Sequence, residues 1–179
     1  MFARYRADAT YIRSQSVLTL GFPPSVIARG LALRLAGASD DHRERRRLAQ
    51  MLIDDLNDTG SLAYCQLTVA DRPQVHQHDG QRLQSKTYGY YNCQFTDGRV
   101  REARIRIYHR TAVRRQVISP KVFLNTVLHE WMHHYDFAGL GLARSPHTAG
   151  FYTRLRALAD ALQVGFVLPP EPEPAASPA

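Results

Sequence analysis

Between Ser119 and Gly139 the chain encodes one long helix, and that helix carries its most constraining residues. Ser119-Pro120 supplies an N-cap and a first-turn proline, where the missing N–H would have had no helical partner anyway. Phe123, Val127, Trp131 and Tyr135 then recur at helical spacing, and Gly139 and Gly141 end the run. The same segment contains His129-Glu130-Trp131-Met132-His133, an HExxH pattern. Two histidines four residues apart share one helical face, so their imidazoles can converge on one metal ion with Glu130 beside the open position. That arrangement predicts His129 and His133 as metal ligands and Glu130 as general base. The alternative is a helix whose histidines are merely exposed or packed against neighbours.

A catalytic zinc needs a third protein ligand. The metzincin spacing calls for glycine at 136 and histidine at 139, where the chain has Asp136 and Gly139. A gluzincin needs a downstream glutamate on the next helix, yet after Glu130 the only glutamates are Glu171 and Glu173, in a proline-rich tail. His147 remains, 14 residues past His133 in a loop that enters the last helix; its alternative role is to cap that helix. An all-histidine set with an adjacent glutamate base predicts one zinc ion rather than iron or manganese. Asp136, one turn from His133, is expected either to orient a ligand imidazole or to pair with an arginine. His134 points off the His129 and His133 face and reads as a surface or packing residue. His76 and His78, beside the Asp79-Gly80 turn signal, read as a polar hairpin tip.

Elsewhere, Ser25 opens a helix through Val26, Ile27, Leu31, Leu33 and Leu35 that ends near Gly37. A second helix starts at His42, carries the stripe Leu48, Met51, Leu52 and Leu56, and stops at Asn57 to Gly60. Leu62 to Val69 is strand-like until Asp71 to Pro73 interrupts it, and Thr148 to Leu162 repeats a helical pattern. Thr87 to Phe95 and Val100 to Tyr108 should pair as a hairpin around Thr96-Asp97-Gly98-Arg99. In its second strand Ala103, Ile105 and Ile107 alternate with Arg104, Arg106 and Tyr108, which predicts one buried and one cationic face. These elements predict an α+β fold, with a small, mostly antiparallel sheet packed against helices.

The 179 residues suit one domain, and 44% hydrophobic content is enough for a single core. A formal charge of +7, almost all from arginine because Lys86 and Lys121 are the only lysines, suits a polyanionic partner or a solvated surface equally. Cys65 and Cys93 form no CxxC pair and read as reduced thiols of a cytoplasmic protein. No run approaches the roughly 20 apolar residues of a membrane span, so no membrane partner is expected. Pro23, Pro24, Arg29 and Arg34 break the apolar run from Ser16 to Ala38 and argue against a cleaved export signal. The tail from Pro169 to Ala179 holds five prolines and is expected to be disordered.

From the hairpin strand onward the chain resembles the SprT-like (Spartan-type) zinc metalloprotease family. The likeness rests on Ala103-Arg104-Ile105-Arg106-Ile107 leading into Ser119-Pro120, on Thr126 to Tyr135 around the HExxH, and on His147-Thr148-Ala149-Gly150-Phe151. It covers about residues 60 to 165, and members place a third histidine shortly before a phenylalanine, as His147 stands before Phe151. The resemblance implies a zincin-like HExxH active-site helix beside a small sheet, and a protein substrate on or near DNA. It divides the chain into an N-terminal extension (1–24), a SprT-like metallopeptidase domain (25–165) and the tail (166–179). Several members carry a cysteine zinc ribbon that this sequence lacks, so DNA contact would fall to Arg101, Arg104, Arg106, Arg114 and Arg115. The expected activity is peptide-bond hydrolysis by a zinc-activated water, with Glu130 as base and Tyr152 or Arg144 supporting the oxyanion. A zinc hydrolase of a non-peptide bond, and a basic nucleic-acid-binding module with structural or no metal, are the alternatives.

Overall fold

A computed structural model describes residues 8–79 and 82–165 of the chain. The proline-rich segment 166–179 and Gly80 of the expected Asp79-Gly80 turn lie outside the described residues. Helices α1 (Ala9–Ser16), α2 (Val26–Ala36) and α3 (His42–Gly60) come first. Strands β1 (Cys65–Pro73), β2 (Val75–Asp79), β3 (Arg82–Thr87), β4 (Gly89–Thr96) and β5 (Arg99–Arg110) follow, then α4 (Pro120–Ala138) and α5 (Ala149–Ala161).

Side-chain caps explain where these helices begin. Ser25 Oγ accepts from Ala28 N–H, Asp41 from Arg43 and Glu44 N–H, Ser119 from Val122 N–H, and Thr148 from Phe151 N–H. Each hydroxyl or carboxylate satisfies a donor that the first turn leaves unpaired. α3 runs through Asn57 to Gly60 and stops only at Ser61, which adopts the left-handed conformation. Asp97 and Gly98 both have positive φ, the signature of a two-residue hairpin turn whose twist matches that of its strands.

The main sheet has the order β1-β5-β4, with β1 and β5 parallel and β4 and β5 antiparallel. It is therefore a mixed sheet, which corrects the expectation of a mostly antiparallel one. The separate antiparallel pair β2 and β3 returns the chain to the end of β1 where it left. β4 then runs back along β5, and β5 takes the centre beside β1. β5 is the longest strand, and Ala103, Ile105 and Ile107 on its inner side are buried, whereas β4 is half-exposed along its length. The central place of β5, with its buried inner row flanked on both sides, makes its pairing with β1 parallel. Tyr108, expected on the cationic side, is buried near the strand end, where its N–H bonds Tyr88 C=O.

Helices cover the inner face of the sheet. α3 lies against β1, α4 against β4 and β5, and α2 bridges α3 and α4. α4 contributes Phe123, Val127, Leu128, Trp131 and Met132 to the core, each fully buried and each worth roughly 1.5–3 kcal/mol of transfer free energy. Trp131 stacks on Tyr135, meets Phe22 edge-on, and donates from Nε1 to Asn57 Oδ1 at 2.9 Å. α5 packs on α4, and α1 packs on α5. The segment set apart as an extension thus carries a helix laid against the domain, and Gly21 N–H bonds the Tyr135 hydroxyl on α4 at 2.8 Å. Among the described residues no helix is long and apolar enough to cross a membrane.

Candidate metal centre

His129 and His133 stand one turn apart on α4, and His147 sits in the loop immediately before the Thr148 cap of α5. Packing of α5 on α4 brings this loop back over the helix. His147 Nε2 lies 3.1 Å from His129 Nε2 and 3.0 Å from His133 Nε2, with ring centroids about 5 Å apart throughout. One nitrogen from each ring falls within 4.8 Å of the others. Phe151, buried on α5, forms the floor, with its ring centroid 4.8 to 5.2 Å from all three imidazoles. His129 and His133 are half-buried and His147 is exposed, so the cluster opens to solvent on the His147 side.

Three converging acceptor nitrogens are unfavourable unless something positive sits among them. Burial lowers His129 to about 4, with His147 adding to the effect. Burial, then His129 and His147, lower His133 to about 2, and burial also lowers His147. All three rings are therefore neutral at physiological pH and present lone pairs. Tetrahedral zinc with ligands at 2.0–2.1 Å sets its nitrogens roughly 3.3 Å apart, close to the spacing in this cluster. By donor type, number and spacing the three residues fit one zinc ion.

The third histidine of the helix is excluded by its bonds. His134 is fully buried, its Nε2 bonds Ala63 C=O at 2.9 Å, and its Nδ1 lies 3.1 Å from the Tyr91 hydroxyl. Both ring nitrogens are committed to packing the helix against the sheet. Side chains of His76 and His78 lie outside the described residues.

Glu130 is 7% exposed and faces the sheet edge rather than bulk water. Burial raises its carboxyl to about 7, opposed by the Tyr91 backbone N–H that bonds it. Gly89 on β4 makes this approach feasible. A Cβ there would sit 2.8 Å from Arg106 C=O, 3.1 Å from Thr126 Cγ2 and 3.4 Å from Glu130 Cγ.

Of its two expected roles Asp136 has the arginine pair, and it reaches His133 only through a serine. Its Oδ1 pairs with Arg154 Nη2 at 2.7 Å, with both side chains at 0% exposure, and its Oδ2 accepts from Ser145 Oγ at 2.8 Å. Ser145 Oγ in turn lies 2.6 Å from His133 Nδ1. Tyr152 places its ring 5.8 Å from that of His147 and 6.4 Å from that of His129, beside the open side. Arg144 instead pairs with Asp8, the N-cap of α1. Arg101 and Arg104 are exposed and Arg106 is half-buried on β5, and Arg114 and Arg115 are exposed in the turn that follows. Both cysteines are free, and burial pushes the Cys65 thiol up to about 12, which leaves it unreactive.

Sequence reasoning missed Ser145 and Arg154. Ser145 had only its nearness to His147 to recommend it. Arg154 did carry a signal, because it falls on the stripe of Phe151, Leu155 and Leu158, where a charged residue needs a buried partner. Comparison with protein-family models, curated proteins and solved structures gives no match.

Proposed function

We propose that the chain is a zinc-dependent metallopeptidase of SprT-like type, with His129, His133 and His147 holding the ion and Glu130 as general base. The observation that carries this reading is the convergence of three imidazole nitrogens, with the buried Glu130 next to His129 on the same helix. Zinc bound there would supply Lewis acidity at the scissile carbonyl. Glu130, at about 7, suits both halves of the proton traffic: its carboxylate oxygen takes a proton from the attacking water and returns it to the leaving amine nitrogen. Tyr152, whose ring lies beside that of His147, would donate to the developing oxyanion.

A peptide substrate is supported by β4, which is an edge strand beside α4. Among the described residues its outer edge has no strand partner, and an extended peptide can add to such an edge through main-chain hydrogen bonds. DNA association is a separate element of the proposal. Arg101, Arg104 and Arg106 lie across the sheet from α4, so a nucleic acid bound there would leave the metal cluster clear for a protein attached to it.

Elemental analysis of the purified protein tests the centre. We expect one zinc per chain, lost or greatly weakened in His147→Ala at unchanged circular dichroism. Cleavage of an unfolded protein substrate should disappear in Glu130→Gln while zinc is retained. A wild type that takes up no zinc would sink the proposal and leave the arginine face as the functional surface.

A further inference from the structure

Among the described residues, His133 is the one of the three clustered histidines with a hydrogen-bonding partner on its Nδ1. Ser145 Oγ donates to Asp136 Oδ2 at 2.8 Å. A hydroxyl has one proton, so toward His133 Nδ1, at 2.6 Å, Ser145 Oγ is the acceptor and the ring must donate. The proton therefore sits on Nδ1, and Nε2 carries its lone pair toward His129 and His147. Direct attachment of a histidine to a carboxylate is the usual way to orient a metal ligand. Here a serine stands between them.

The other end of the chain of bonds is anchored in the core. Arg154 Nη2 holds Asp136 Oδ1 at 2.7 Å, and Arg154 Nη1 donates to the carbonyls of Ser14 at 2.7 Å and Val17 at 2.5 Å. Ser14 Oγ meets Thr148 Oγ1 at 3.0 Å, and Thr148 caps α5 directly after His147. α1, Arg154, Asp136 and Ser145 thus form one connected scaffold under two of the three histidines.

Resting on the metallopeptidase reading, we propose that Ser145 is a positioning residue that sets the tautomer and ring angle of His133, with Asp136, Arg154 and the end of α1 holding it in place. Ser145 touches no substrate in this role and acts through His133. Threonine retains the hydroxyl and should substitute for it, whereas alanine leaves His133 Nδ1 and Asp136 Oδ2 without their bridge.

The test uses the full chain and zinc itself, competed against a chelating dye, for wild type, Ser145→Ala and Ser145→Thr. Zinc affinity should fall roughly 10–100-fold in Ser145→Ala and recover to within a few-fold of wild type in Ser145→Thr. Nitrogen-15 spectra of the metal-free protein, taken where circular dichroism shows an unchanged fold, supply the second readout. They should show His133 protonated on Nδ1 in wild type and in Ser145→Thr, and shifted toward Nε2 protonation in Ser145→Ala. Equal zinc affinity in all three proteins, or an Nε2 proton on His133 in wild type, would overturn the role of Ser145 and leave the metallopeptidase reading standing. A wild type that binds no zinc would overturn both.

Discussion

Replacing Glu130 by glutamine should abolish hydrolysis and, in the metal-free protein, stabilise the fold at alkaline pH. Glu130 is 7% exposed, and burial raises its carboxyl from 4.5 to about 7 despite the opposing Tyr91 N–H. A carboxyl raised on folding ionises more readily in the unfolded chain. Its stability contribution is therefore intact below about 4.5, erodes as pH rises, and is fully lost above about 7. At about 1.4 kcal/mol per tenfold change in acidity, the rise from 4.5 to about 7 costs about 3 kcal/mol once the group is ionised. Glutamine has nearly the same shape, carries no charge, and can accept the Tyr91 N–H through its carbonyl. Urea unfolding with a chelator present should therefore show Glu130→Gln about 2–4 kcal/mol more stable at about pH 8.5, with the gap closing below about 0.5 kcal/mol near pH 4.5. Zinc should shrink the alkaline gap, because a nearby cation favours the ionised carboxylate. Equal stability of the two proteins at pH 8.5 would refute the argument that Glu130 is held in a desolvated niche.

Gly150→Ala should cost about 1–3 kcal/mol in urea unfolding, because a Cβ at 150 falls well inside contact distance of the Ser14 and Gln15 carbonyls of α1; a neutral result would mean that α1 gives way freely. Trp131→Phe should cost about 2–3 kcal/mol, since it opens space in the core and strands Asn57 Oδ1 without its 2.9 Å donor. If Trp131→Phe is restored by Asn57→Leu to near wild-type stability, the hydrogen bond carries the effect; if not, the lost volume does. His109 is 1% exposed, bonds Asp40 C=O through Nε2, and is lowered chiefly by burial. The unfolded chain then takes up a proton near 6.5 that the folded one refuses, so stability should fall as pH drops below about 6.5. The acid limb of a stability-against-pH curve should become shallower in His109→Gln, and an unchanged limb would exclude His109 as a contributor.

Helix starts were legible because capping is local chemistry: Ser25, Asp41, Ser119 and Thr148 each bond a first-turn N–H within three residues of themselves. α1 was not legible, since Ala9–Ser16 buries only Ser14 and has no apolar stripe to announce it. Nor was the parallel pairing of β1 with β5. Which strand becomes the neighbour of β1 depends on a competition between β4 and β5 for the covered position, and alternation within each strand is silent about it. The histidine cluster is legible in a graded way. His129 and His133 follow from helical spacing alone, whereas His147 enters only because α5 folds back on α4.

The arginines show what composition hides and position reveals. Among the described residues most of them are exposed, yet Arg45 and Arg154 are completely buried. Arg45 bonds Ser39 C=O, Ile118 C=O and Asp40, and lies over the Phe123 ring. Within the run Arg43 to Arg47 it is the one buried residue, three residues before Leu48 and four before Ala49 on the face that Leu52, Ile53 and Leu56 continue. Arg154 occupies the same kind of position on α5. Burying a guanidinium without partners costs more than a helix of this length can recover, so an arginine on an apolar stripe implies acceptors waiting inside the fold. For Arg154 those acceptors are the end of α1 and Asp136, and Asp136 leads through Ser145 to His133. The +7 charge of the chain thus includes a cation that serves no polyanion at all, and whose loss should be felt first at the histidines.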